Sequence, residues 1–206
     1  MPVDLWLAFA AASAVLLVLP GPTILLVLSY ALSQGRRVAV AMALGVALGD
    51  LIAMTASLAG LGALVLASAT LFAALKWIGA AYLVWLGIRL FGSPPVLAED
   101  VAPAPRPARA VFGHAALVTA LNPKSIAFFI AFVPQFLRPD APLAPQFAVL
   151  IATFVSLAAL NALAYALLAD RLRAQIRRAA VLRWMTRAGG GALIGMGALT
   201  ASAASS

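Results

Sequence analysis

Long apolar runs separated by short polar connections organise this chain from end to end. They predict six helices, at roughly 5–33, 38–66, 70–91, 112–136, 146–168 and 187–204. Each run approaches or exceeds the 18 or so residues that cross a hydrocarbon core of about 30 Å. From Val38 to Ile88 only Asp50 and Lys76 are charged, and Ala67-Ser68-Ala69-Thr70 offers the one turn signal there. Lys76 would then lie inside the third helix and snorkel to the interface beside Trp77. The last run, rich in glycine and alanine, predicts a short helix packed on protein more than on lipid. Two runs are interrupted near their middles, at Pro20-Gly21-Pro22 and at Asn122-Pro123-Lys124.

Composition turns this pattern into a fold class. Of the 206 residues 65% are hydrophobic and 10% charged, with a mean hydropathy of +1.07. A soluble domain of this length could not hide so much apolar surface, so an all-α integral membrane protein is expected. Cysteine is absent, which excludes thiol redox relays and thiolate metal sites. No glycine-rich phosphate loop, metal-spaced His/Asp/Glu set or serine–histidine–acid arrangement is present, so neither enzyme chemistry nor a bound cofactor is expected. The N-terminus has no basic stretch before its first apolar run, which therefore reads as a retained span.

The net charge of +8 is explained by position rather than by nucleic acid. Arg36, Arg37, Arg89, Arg106, Arg109, Arg171, Arg173, Arg177, Arg178, Arg183 and Arg187 all fall on the odd-numbered connections. The positive-inside rule puts those connections in the cytoplasm and both termini outside. The connection 92–111 is proline-rich and reads as an extended linker between two units, 1–91 and 112–206. Each unit has three predicted helices and they enter the membrane from opposite sides, a 3+3 inverted-topology repeat with broken helices 1 and 4. Interrupted helices at corresponding positions of such a repeat point to a transporter's binding site.

Proline removes a backbone donor, and at membrane depth the freed carbonyls must face protein or a water-lined cavity. Gly21 permits close approach, and Thr23 brings a hydroxyl to the restarted helix. Pro20, Gly21, Pro22 and Thr23 are thus candidate substrate-binding positions, and Asn122, Pro123 and Lys124 are their counterparts in the other half. Lysine at mid-span costs about 2.5–3.5 kcal/mol, and Asp50 is similarly central in the second span. The two charges are expected to pair or to share a polar cavity. Asn161 and Tyr165, at i and i+4, share one helix face and could add polar contacts or bridge the bundle. The basic segment Asp170–Arg187 reads as a connection lying on the anionic inner leaflet. Gly45/Gly49, Gly191/Gly195 and the run Gly189-Gly190-Gly191 read as helix-packing positions that permit, without requiring, a homodimer. His114 reads as interfacial, and Trp6, Trp77, Tyr82 and Trp85 as interface anchors or packing groups.

The ordered motifs Leu19-Pro20-Gly21-Pro22-Thr23, Gly35-Arg36-Arg37, Gly45-x3-Gly49-Asp50, Lys76-x2-Gly79-Ala80-x-Tyr82-Leu83-x-Trp85-Leu86-Gly87, Asn122-Pro123-Lys124 and Phe132-x-Pro134-Gln135-Phe136 resemble those of the LysE/RhtB family of small bacterial exporters. The likeness runs through residues 5–137; the C-terminal third matches in general character only. It implies efflux of amino acids or related small metabolites across the inner membrane by proton antiport. It also carries functional weight to Pro20, Gly21, Pro22, Asp50, Asn122, Pro123 and Lys124. The residues themselves suggest alternating access around a midplane site. The helix start at Gly21–Thr23 and nearby Lys124 would hold the substrate carboxylate, and Asp50 would receive the substrate amine or carry the coupling proton. The linker departs from the family in having only Arg106 and Arg109 where a dense basic cluster is expected. The alternative is a channel or cation exporter on the same plan, but a cation pathway usually needs several acids and the spans hold only Asp50.

Overall fold

Proline and glycine placement decides where the helices stop. The computed structural model describes residues 1–19, 21–92, 104–138, 141–176 and 179–204. Over these residues the chain is helical, without strands. Helix α1 (Val3–Val18) gives way at Leu19, which is extended (φ −69°, ψ 127°). Helix α2 (Pro22–Gln34) restarts after extended Gly21, with Pro22 in the first turn, where the missing N–H breaks no helical bond. Gly35 closes α2 at φ +66°, a left-handed conformation that glycine adopts without a Cβ clash, and its amide returns to the Ala31 carbonyl. A 3₁₀ turn, Gly35–Val38, then feeds α3 (Ala39–Ala67). The weak turn signal before the third predicted helix is a real break. Ser68 separates α3 from α4 (Ala69–Gly92), and its Oγ accepts the Leu71 amide at 3.2 Å as an N-cap.

In the second half α5 (Ala108–Ala120) and α6 (Pro123–Ala131) form one interrupted rod bent by 44°. A 3₁₀ turn, Val133–Phe136, follows, then α7 (Leu143–Ile176) and α8 (Ala179–Ala204). The basic segment between the last two predicted helices is largely helical among the described residues: α7 continues to Ile176 and α8 begins at Ala179, eight residues before the predicted start. Arginine is a good helix former, and the segment holds no proline or glycine before Gly189. The expectations for Pro20, for linker residues 93–103 and for the side chains of Lys76 and of Asp170–Ala179 lie outside the described residues.

By length and hydropathy, the helical stretch Pro22–Ala63 (which includes the turn at Gly35) and Leu143–Ala169 can each cross a bilayer. The bent pair α5–α6 makes a third if it is one span. Val3–Val18 is apolar but shorter, because the break at Leu19 cuts α1 to about 24 Å. Leu117, Leu121, Leu160 and Ile78 stand exposed on the outer surface, as lipid-facing residues would.

Glycine lets the helices meet closely. A Cβ on Gly45 or Gly49 would stand 2.5 Å from the Phe112 or Ala116 carbonyl of α5, and Gly87 and Gly190 seat α4 on α8 in the same manner. In the predicted run Gly189–Gly191, Gly189 and Gly190 pack as expected and Gly197 joins them, whereas Gly191 and Gly195 face open space within the chain. An aromatic cluster of Phe9, Phe128, Phe129, Phe132, Phe136 and Phe154, with ring centroids 4.8–6.5 Å apart, ties α1 to α6 and α7.

Candidate transport site

In an α-helix the carbonyl of residue i accepts the N–H of residue i+4. Pro20 and Pro22 have no N–H to give to Leu16 and Val18, and the turn at Leu19 and Gly21 takes Leu17 and Leu19 out of register as well. All four carbonyls are nevertheless occupied. Lys124 Nζ donates to Leu16 O at 3.1 Å and to Leu19 O at 3.0 Å. Asn161 Nδ2 donates to Leu17 O at 3.0 Å, and the Tyr165 hydroxyl donates to Val18 O at 3.0 Å. Every one of these donors belongs to the second half of the chain. A buried acceptor left without a partner costs about 1–3 kcal/mol, so the end of α1 depends on three side chains from α6 and α7. The ammonium also sits at the negative end of the α1 dipole, where a cation is favoured.

Room for Lys124 comes from Gly21, where a Cβ would lie 3.1 Å from Nζ and 3.3 Å from Cε. On its own helix Lys124 follows Asn122, whose Oδ1 caps α6 by accepting the Lys124 amide at 3.1 Å. Asn122 Nδ2 reaches the other break and donates to Thr23 Oγ1 at 3.1 Å, while Thr119 Oγ1 lies 3.4 Å from the same hydroxyl. The two interruptions thus face one another and are bonded together. The start of α2 has no side-chain cap.

Asp50 is buried at 2% exposure, and its Oδ1 has no hydrogen-bond partner. Of the two arrangements expected for Asp50 and Lys124, the structure has the shared cavity: they line the same space, but the ammonium is bonded to carbonyls rather than to the carboxylate. The helix end offers Lys124 two acceptors at its dipole terminus, and so outcompetes one oxygen across the cavity. Gly21, Thr23, Asn122 and Asn161 line it too, with Ser125, which sequence reasoning missed despite its place one residue after Lys124. Pro22 and Pro123 sit exposed at the first positions of α2 and α6, where they shape the breaks without lining the cavity.

The volume of this cavity is about 20 Å³, room for a single water and too small for an amino acid. About one turn further toward the N-terminus of α1, a separate groove of about 570 Å³ is lined by Ala8, Ala12, Phe132, Gln135, Phe136, Leu199 and Ser202. Among the described residues no group of three His, Cys, Asp or Glu could hold a metal ion. His114 lies away from the cavity, where its Nδ1 meets the buried Tyr30 hydroxyl at 2.9 Å.

The family model described as LysE type translocator matches residues 14–203. The chain belongs to the LysE-type translocator family. It is a membrane transport protein, not an enzyme. The match takes in the C-terminal third, where the sequence motifs had run out. This translocator is 35% identical to a membrane protein of Vibrio cholerae over 203 residues, 98% of this chain and 99% of that one. It is 32% identical over 203 residues to a homoserine/homoserine lactone efflux protein of Salmonella typhimurium, covering 98% of each chain. A leucine efflux protein of Klebsiella pneumoniae is 28% identical over 137 residues, 66% of this chain and 65% of that protein. No solved structure matches the translocator.

Proposed function

We propose that this translocator exports amino acids or closely related primary amines across the inner membrane, exchanging them for protons. Alternating access would take place around the crossing of the α1–α2 and α5–α6 breaks. The observation that carries the reading is the cross-bonding of these breaks around a buried, partnerless Asp50 oxygen and a buried Lys124 ammonium. Apolar packing would be the cheaper way to fill a bundle centre, so two buried charges there argue for a functional role.

The relatives narrow the substrate class. Homoserine, its lactone and leucine share a primary ammonium, whereas the lactone has no free carboxylate. In our reading Asp50 receives that ammonium or the coupled proton. Where a carboxylate is present, the uncapped start of α2 receives it through its free amides and positive dipole end. The six helical rods then form two inverted sets of three with both termini outside, and the groove beside Ala8 and Ala12 serves as the outer vestibule.

The test is export from cells loaded with mixed dipeptides. Free amino acids outside are profiled with and without the protein, and with the proton gradient intact or collapsed. Selective accumulation that stops when the gradient collapses is expected, and Asp50→Asn is expected to abolish it while the protein still inserts. Full export by that variant would remove Asp50 from the coupling role. Export of divalent cations but no amine would move the protein to the cation-exporter reading.

A further inference from the structure

Lys124 occupies a place built for an ammonium that need not be its own. The carbonyls of Leu16 and Leu19 accept its Nζ at 3.1 and 3.0 Å, spacings suited to N–H donors and longer than those of a bound sodium or calcium ion. An ammonium has three hydrogens to give. Lys124 gives two to these carbonyls, and the tether of its own side chain leaves Asp50 Oδ1, on the same cavity, without a donor. A free primary ammonium carries no such tether.

We infer that the end of α1 is the receptor for the substrate's ammonium, with Lys124 as a resident stand-in that the substrate displaces. This rests on the amine export proposed above. An arriving ammonium takes the Leu16 and Leu19 carbonyls and gives its third hydrogen to Asp50. The released Lys124 swings out of the space opened by Gly21 and meets the substrate's carboxylate or ring oxygen. Until a substrate arrives, Lys124 cannot leave without stranding two buried carbonyls. The empty transporter is therefore held in its closed form, with a cavity of about 20 Å³. The neutral donors Asn161 and Tyr165 keep the remaining two carbonyls and stay in place throughout.

The receptor can be emptied and refilled. Lys124→Ala in the full-length protein, purified in detergent, is melted in methylammonium, tetramethylammonium or sodium chloride at equal ionic strength. Methylammonium is expected to raise the melting temperature of the variant by several degrees and to leave the wild type unmoved, because it has no carboxylate or ring oxygen to receive a displaced Lys124. Tetramethylammonium, with no N–H, and sodium are expected to do neither. An equal response of variant and wild type, or an equal effect of tetramethylammonium, would overturn the receptor.

A second measurement needs no variant. Melting of the wild type is followed in L-homoserine, L-homoserine lactone and their N-acetyl forms. The two free amines should stabilise the protein at concentrations at least about tenfold lower than the acetylated forms. Acetylated forms that work equally well would refute ammonium recognition. Rescue of Lys124→Ala by methylammonium, with no response of the wild type to either free amine, would leave the receptor standing and sink the proposed substrate class instead.

Discussion

Replacing Asn122 with serine and with alanine separates two roles of one side chain. Its Oδ1 caps α6, and its Nδ2 ties that cap to Thr23 at the other break. A serine still caps a helix but is too short to reach Thr23 Oγ1, whereas alanine does neither. Loss of an N-cap costs about 0.5–2 kcal/mol. Interhelical hydrogen bonds inside membranes average about 0.6 kcal/mol and reach about 1.7. Asn122→Ser should therefore lose about 0.6–1.7 kcal/mol and Asn122→Ala about 1–4. Thr23→Val alone is ambiguous, because the same hydroxyl lies 3.4 Å from Thr119 Oγ1. The decisive quantity is the coupling in the cycle of Asn122→Ser with Thr23→Val, expected at about 0.6 kcal/mol or more. Unfolding in mixed micelles of rising denaturing-detergent fraction, followed by tryptophan fluorescence, measures it. Equal losses for serine and alanine would show that the cap contributes nothing. A coupling within about 0.3 kcal/mol of zero would show that the two breaks are not bonded.

The remaining predictions concern glycines and the donors to α1. Gly21→Ala should reduce export at least about tenfold with expression unchanged, because its Cβ would crowd the Lys124 ammonium at 3.1 Å; full export would mean that the ammonium has other room. Gly49→Ala should destabilise the protein by about 1–3 kcal/mol, since its Cβ would stand 2.5 Å from the Ala116 carbonyl. Gly60→Ala, with nothing within 4 Å, should be neutral or stabilise by up to about 1 kcal/mol, and equal effects in thermal melts would refute the α3–α5 seat. Asn161→Leu should cost about 1–3 kcal/mol by stranding the Leu17 carbonyl, and an unchanged melting curve would show that another donor takes over.

The two helix breaks could be read in the sequence because proline and glycine act locally: Pro20, Gly21, Pro22 and Pro123 carry their backbone consequences whatever surrounds them. Asp50 and Lys124 were legible for a related reason, since few sites inside an apolar bundle tolerate a charge and the two had to come near each other. Which acceptors Lys124 would choose was hidden. The winning partners are backbone carbonyls, and no residue name announces a carbonyl that has lost its donor. The missing N–H of Pro20 and Pro22 was the available signal; followed four residues back, it leads to Leu16 and Val18. Helix ends away from proline were harder, as the early start of α8 at Ala179 illustrates. The packing glycines were legible as a group but not one by one, for the same kind of reason. Around a bundle in lipid both faces of a helix are apolar, so the pattern does not say that Gly190 meets α4 while Gly191 meets nothing.

The donors that complete α1 have a consequence for how the chain is made. Synthesis runs from the N-terminus, so α1 is made before Lys124, Asn161 and Tyr165 have been translated. During that interval the carbonyls of Leu16 to Leu19 must be served by water, lipid headgroups or the insertion machinery, because hydrocarbon offers no donor. The first helix is therefore completed only once α7 has been made. A ribosome-stalled chain ending before Lys124 should leave a thiol placed at Leu17 open to water-soluble reagents, and a chain extended past Tyr165 should bury it.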